Sequence, residues 1–401
     1  MRNYFEKLLR GKLLKFISIG IIAIVIFNIN SIITKANTTI NFKAGTWQGI
    51  VDGKHGEGGL FYRLKFNANG NVLVIKQFGD GEIKEEKTWK NKNNNIIIKS
   101  KANDVIKELD NGNLKILDEK SIEYSNGFYN TIFKEHKGTL SIIHWILALI
   151  VLIALNELFR RKKLAAILFF FILPIIMIPL WASNGVTYWF KWVKVYSAVA
   201  GSVWFILMRF TKIGTKNWSK MIVAIILSAN IIEAVVQDFS MGNLPNILNG
   251  IAGVLSIATL FYGWKEIGPD NSKEKDMVWI KMPMLWIIAY DVWNWAFVYL
   301  NFPGSASLQF IVILSSTIPA IFVKKGTWLQ ARAFTLAAWF MYYFTFPRFT
   351  ESVELLVPRN SIFMIGISLL SIILNLSYTI VYIKRYKGEP KIKIKEISTG
   401  N

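Results

Sequence analysis

Met282-Pro-Met-Leu-Trp-Ile-Ile-Ala-Tyr-Asp-Val-Trp-Asn-Trp-Ala-Phe-Val-Tyr-Leu300 decides how this chain is read. As a helix it is long enough to cross the hydrocarbon core of a bilayer, and Asp291 stands near its midpoint. A charged side chain at that depth costs a few kcal/mol, so it faces the protein interior and marks a functional site by default. Asn294 follows one turn later on the same face, and Trp286, Tyr290, Trp293 and Phe297 line the adjacent face. The stretch therefore joins an acid, an amide and an aromatic wall.

Outward from this stretch, apolar runs recur every twenty to thirty residues and exclude a soluble class for this part of the chain. The expected spans are 140–158, 164–182, 195–208, 221–236, 247–262, 282–300, 308–323, 329–346 and 362–383. The third, fifth and seventh are short and must extend or tilt. The formal charge of +21 does not indicate a nucleic-acid partner, because residues 40–137 carry sixteen Lys/Arg against thirteen Asp/Glu. The excess lies in alternate short loops: 160–163, then Arg209 to Lys220, then Lys265 to Lys281, then Lys324-Lys325, and finally the tail after Lys384. By the positive-inside rule those loops are cytoplasmic, which predicts a multi-pass protein of the cell membrane with residues 40–137 extracytoplasmic.

Ahead of the spans, Arg2, Lys7, Arg10, Lys12 and Lys15 precede an apolar run over 16–33. That pattern is a signal, either cleaved after Thr34-Lys35-Ala36 or kept as an anchor, and the length of the run favours the anchor. The expected organisation is a basic segment with a signal-anchor helix (1–39), an extracytoplasmic β domain (40–137), a transmembrane bundle (138–385) and a short cytoplasmic tail (386–401). The chain has no cysteine, so thiolate metal sites and thiol catalysis are excluded. Its three histidines, His55, His136 and His144, are not at ligand spacing on one helix.

Residues 45–133 alternate apolar and polar residues in eight short runs: 46–51, 60–66, 72–78, 82–89, 96–101, 114–117, 121–124 and 128–133. Even spacing with turns such as Asn67-Ala68-Asn69-Gly70 predicts a meander that closes into a barrel. Gly45-Thr46-Trp47-Gln48-Gly49, the Phe66 to Val72 hairpin, Trp89 followed by Asn93-Asn94 and Ile96, and Tyr129-Asn130-Thr131-Ile132-Phe133 resemble the small lipocalin-like domains of bacterial envelope proteins. The resemblance implies the fold and no catalytic motif. It leaves open a packed barrel acting as a cap or adhesive surface, and a barrel that carries a ligand.

Three further constellations carry expectations. Asn230 and Glu233, with Gln237, are spaced to share a helix face at a depth overlapping Asp291 and Asn294. With no Lys or Arg expected at that depth, the acids bridge helices as hydrogen-bonding glue, form a hydrated site for a cation, proton or polar solute, or occupy lipid-facing positions. Glu157 and Arg332, near the inner ends of two spans, are expected as an ion pair, with separate snorkelling as the alternative. The 181–194 loop, rich in Trp and Lys, fits an interfacial hairpin or a substrate-entry lip.

Enzyme chemistry has little support. There is no His-x-x-x-His, and Gly304-Ser305-Ala306-Ser307 has no activating histidine in a membrane helix other than His144. No cofactor is expected. Asn156-Glu157, the 181–192 hairpin and Tyr290-Asp291-Val292-Trp293-Asn294 resemble an uncharacterised bacterial multi-pass membrane protein family, which implies no activity. The physical reading is a carrier for a small cationic or polar solute that uses intramembrane acids. The alternative is an extracytoplasmic ligand-sensing or envelope-interaction protein anchored by the bundle, with a partner in the membrane or envelope.

Overall fold

Where the sequence alternates apolar and polar residues, the chain forms strands that bury one face. The computed structural model describes residues 42–51, 59–79, 81–110, 113–125, 130–184 and 189–388. The expected signal anchor, the tip of the 181–194 loop and the end of the cytoplasmic tail lie outside these residues. Eight strands run as β1 (Thr46–Val51), β2 (Leu60–Phe66), β3 (Asn71–Phe78), β4 (Gly81–Lys92), β5 (Asn95–Lys99), β6 (Leu114–Asp118), β7 (Ser121–Ser125) and β8 (Asn130–Glu135). Each is antiparallel to the next, and β8 returns to β1 through Trp47↔Glu135 and Gln48↔Lys134, so the sheet closes as a barrel.

Two local features make that closure possible. Between β4 and β5, Asn93 (φ 54°) and Asn94 (φ 63°) are both left-handed, the conformation that a tight two-residue hairpin requires and that Asn tolerates. Gly49 lies against Phe133, where a Cβ would sit 2.2 Å from the ring. An eight-stranded barrel has room for its own side chains or for one small ligand. Here Trp47, Tyr62, Leu64, Val74, Leu114 and Phe133 fill it, and Ile106 and Leu109 from the β5–β6 loop are equally buried. The interior is thus lined by the barrel's own large side chains.

The remainder is helical apart from a short two-stranded ladder of Gly268–Pro269 with Met277–Val278: α1 (Thr139–Arg161), α2 (Lys163–Ile176), α3 (Ile178–Ser183), α4 (Trp189–Phe210), α5 (Asn217–Met241), α6 (Leu244–Leu260), α7 (Met284–Asn301), α8 (Ala306–Phe322), α9 (Trp328–Thr345), α10 (Pro347–Ser352) and α11 (Ser361–Gly388). Thr139–Arg161, Lys191–Phe210, Asn217–Met241 and Ser361–Arg385 are long and apolar enough to cross a membrane, which marks the chain as membrane-associated. The run expected as one span over 164–182 is interrupted at Met177, because Pro179, in the first turn of α3, has no N–H to donate to the preceding turn. A π-helical turn at Leu168–Ile172 precedes the break. α7 and α9 are less apolar because they carry Asp291, Asn294 and Asn301, and Gln330 and Arg332 respectively. Both are largely covered by other helices.

From Phe42 onward the barrel and helices form one compact unit. The barrel sits on one end of the bundle and is fastened mainly by side chains bonding to backbone. Gln48 Nε2 donates to the carbonyls of Glu351 (2.7 Å) and Glu354 (3.1 Å), and Gln77 Nε2 to that of Val357 (2.8 Å). Arg359 donates to Gly79 O of the barrel (2.9 Å) and to Leu300 O at the end of α7 (2.8 Å). The far end is tied by Arg160 to Asp276 (2.7 Å), by Gln330 Nε2 to the same carboxylate (3.1 Å) and by Lys324 to Asp270 (2.7 Å). Arg209, 1 % exposed, donates there to the carbonyls of Phe159 (3.1 Å) and Glu274 (2.8 Å).

Candidate polar site in the helical core

The aromatic residues of α7 serve first to fix that helix. Trp286 and Tyr290 stack at 5.3 Å, and Trp328 of α9 meets Tyr290 edge-on at 5.1 Å. The indole N–H of Trp286 donates to Ser256 O (3.3 Å) and that of Trp293 to Asn249 O (3.0 Å), both on α6. Gly253 permits this approach, since a Cβ there would lie 2.7 Å from Trp293 Nε1. Buried indoles are thus satisfied by α6 carbonyls and set the rotation of α7.

That rotation turns Asp291 and Asn294 toward α8 and α9. Thr317 donates to Asp291 Oδ2 (2.5 Å) and accepts from Trp328 Nε1 (3.0 Å), so a hydroxyl connects the aromatic wall to the acid. Asn294 Oδ1 accepts from Gln309 Nε2 and from Arg332 Nη2, the latter at 3.1 Å. Two atoms in this group, Asp291 Oδ1 and Arg332 Nη1, are sealed from solvent and have no hydrogen-bond partner. Buried donors and acceptors without partners are uncommon, and each calls for an explanation.

Arg332 corrects two expectations. It is a cation at the depth where none was expected, because α7 and α9 start from the same end of the bundle. It is the fifth residue of α9 and Asp291 the eighth of α7, a difference of about 4.5 Å that an arginine stem spans. The expected Glu157–Arg332 ion pair does not form. Glu157 is held by Arg160 (3.0 Å) and Arg161 (3.1 Å), its own helical neighbours, which reach it without crossing the bundle.

Asn230 and Glu233 do not join Asp291. Both are exposed on α5, and Glu233 pairs with Lys194. The buried face of α5 runs through Leu227, Ile231, Ala234, Val235 and Asp238. At about 100° per residue, the face through Asn230, Glu233 and Gln237 points elsewhere. The acid that does enter the core is Asp238, which sequence reasoning passed over. Its Oδ1 accepts from Asn246 Nδ2 (2.8 Å) and Asn301 Nδ2 (2.6 Å), and its Oδ2 from Asn249 Nδ2 (2.7 Å). All four residues have 0 % exposure. Asn246 and Asn249, one turn apart in an apolar helix, were the available signal.

Where barrel meets bundle, burial perturbs several titrating groups. It lowers the Arg63 guanidinium to about 10 and the Lys134 ammonium to about 8. Burial, followed by the positive charge of Arg63, takes His136 down to about 4. Glu354, enclosed in the same junction, is raised well above the ordinary carboxylate range by burial and then by Glu351.

With the site described, the comparison with known families is direct. Residues 135–397 match a family of unknown function, DUF5692. The chain belongs to that family. The matched segment holds both core polar groups, whereas the barrel lies almost wholly outside it. No curated protein and no solved structure matches the chain.

Proposed function

We propose that the protein is a multi-pass protein of the cell membrane whose bundle carries a small polar or cationic solute, bound between Asp291, Asn294, Thr317 and Arg332. The observation behind this reading is the pair of partnerless buried atoms, Asp291 Oδ1 and Arg332 Nη1. A solute offering a donor to the first and an acceptor to the second would satisfy both, and Trp328 and Tyr290 would give it an aromatic wall. Helix ends alternate between the barrel end and the far end, and the basic loops gather at the far end. The positive-inside rule then puts the barrel outside, with nine spans after the signal anchor.

The test is a thermal-shift screen of the detergent-purified chain against amines, amino acids and amides, followed by uptake into proteoliposomes. At least one class should raise Tm and be taken up, and Asp291→Asn and Arg332→Gln should each abolish both effects while the proteins remain folded. Uptake unchanged in the two variants would remove these residues from any carrier role.

The second reading, envelope interaction or sensing, draws on the rigid fastening of barrel to helices through Arg359, Gln48 and Gln77. Since the barrel interior is filled, a partner would have to bind its outer surface. Cross-linking of the intact protein to an envelope component through barrel residues, with no solute shift in the screen, would favour this reading.

A further inference from the structure

Two carboxylates in the bundle, Asp238 and Asp276, are completely buried, and their surroundings differ in one respect. Asp276 has a cation, Arg160 at 2.7 Å. Asp238 has three neutral amides, and among the described residues no cationic side chain pairs with it. A buried charge offset only by amide dipoles remains uncompensated, which a low-dielectric interior penalises heavily.

A second, independent feature lies in the same cluster. Asn246 Oδ1 is fully buried and has no hydrogen-bond partner, while its Nδ2 bridges Asp238 Oδ1 (2.8 Å) and Asn301 Oδ1 (3.1 Å). A half-turn of a side-chain amide exchanges its oxygen and nitrogen. That turn would put the orphaned oxygen of Asn246 between the oxygens of Asp238 and Asn301. The last turn of α7 adds backbone oxygen nearby, since Phe297 O already accepts from Asn301 Nδ2 at 2.9 Å. Helix C-termini favour cations.

We propose that Asp238, Asn246 and Asn301 form a binding site for a dehydrated monovalent cation of sodium size, with Asn249, whose Oδ1 accepts from Ser371 (2.8 Å), holding the carboxylate through its Nδ2 (2.7 Å). One carboxylate supplies one negative charge, which a monovalent ion neutralises. Calcium and magnesium sites instead gather several carboxylates or retain water. Neutral oxygens from asparagine and backbone complete the shell in the way unwound or terminal helix carbonyls do in membrane ion sites. The site is separate from Asp291 and Arg332, and ion binding can be measured without any solute flux, so the carrier reading can fail while this one stands.

The test uses the full chain purified in detergent, with sodium chloride exchanged for choline chloride at constant ionic strength. Sodium should raise Tm saturably, by several degrees at about a hundredfold excess over half-saturation, and radiolabelled sodium should bind at one ion per chain. Asp238→Asn should abolish both responses. Asn246→Ala, which leaves two amides on the acid, should shift half-saturation at least about tenfold, the effect of losing about 1.4 kcal/mol of binding. Equal Tm in sodium and choline with no labelled sodium bound would overturn the proposal. So would a response to pH alone, lost in Asp238→Asn, since the acid would then hold only a proton. Should Asp238→Asn fail to fold, labelled-ion binding by the natural chain and the Asn246→Ala shift decide the matter.

Discussion

The barrel and the bundle each bury charge, and they treat it differently. Inside the barrel Lys87, with its side chain fully covered, contacts Glu85 (3.0 Å), Asp104 (3.1 Å), Ser100 Oγ (2.6 Å) and Ile106 O (2.6 Å). Every proton of that ammonium has an acceptor, and the two carboxylates also accept from backbone, Glu85 from Val105 N (2.6 Å) and Asp104 from Lys101 N (2.7 Å). In the bundle, Asp291 and Arg332 each retain one unpaired atom. A satisfied network fixes a structure, whereas an unsatisfied one holds free energy that a ligand can release. The Lys87 network is therefore read as structural, whereas the partnerless atoms of Asp291 and Arg332 are those the proposed solute would satisfy; the barrel keeps one such atom of its own, Trp47 Nε1.

The sharpest way to break that comparison is at Lys87. Lys87→Ala should destabilise the barrel by about 3 kcal/mol, because it leaves two carboxylates and a hydroxyl facing a cavity. Limited proteolysis of the barrel segment at rising denaturant concentration would show the loss. A change below about 1 kcal/mol would mean that the carboxylates relax into water and that the network is not structural.

Closure of the barrel is the next largest effect. Gly49→Val should cost about 2 kcal/mol by forcing Phe133 off β1. Proteolysis should then release the barrel segment while leaving the helices protected. Uniform sensitivity of barrel and bundle would show that the two regions unfold as one.

A smaller effect concerns the seam between the regions. His136 is held at about 4 in the folded protein, below its ordinary value of 6.5. The folded state therefore binds fewer protons than the unfolded one between those values. Stability is full above about pH 6.5 and falls as pH drops toward about 4. Glu354, raised by burial, acts in the opposite sense, so the contribution of His136 has to be isolated by difference. His136→Gln should lose less Tm between about pH 7 and about pH 5 than the natural chain does. An identical loss would assign the pH response elsewhere.

The smallest effect on stability is expected where the largest effect on function is proposed. Asp291→Asn should change Tm by the equivalent of less than about 1 kcal/mol, since Thr317 can donate equally well to an amide oxygen and the loss of the buried charge offsets the amide N–H groups left without a partner. A loss approaching that of Lys87→Ala would make Asp291 a structural residue and remove the contrast between the regions.

Much of the fold was legible from the amino acids alone. The eight strands, including Thr46–Val51 and Leu60–Phe66 to the residue, follow from period-two alternation and turn residues, which are local properties. Helix positions follow in the same way from apolar runs, and Asp291 and Asn294 lie half-buried on one side of α7. The partners of those residues were not legible. Nothing local to Glu233 distinguishes it from Asp238, five residues on, yet one meets Lys194 at the surface and the other meets three asparagines from two further helices. Glu157 and Arg332 looked equally suited to pair until Arg160 and Arg161 proved closer to the acid.

What the sequence by itself determined is the type and order of elements, the closed meander and the set of buried polar residues available in α7. What the tertiary structure decided is the rotation of each helix, and with it which acids are covered, which cation reaches Asn294 and which face of the bundle receives the barrel. The reason is that periodicity defines a stripe along a helix without fixing the stripe's direction in space. That direction is set by packing against residues far away in the chain, such as Gly253 beneath Trp293, and a single residue's shift around the helix turns a side chain by about 100°.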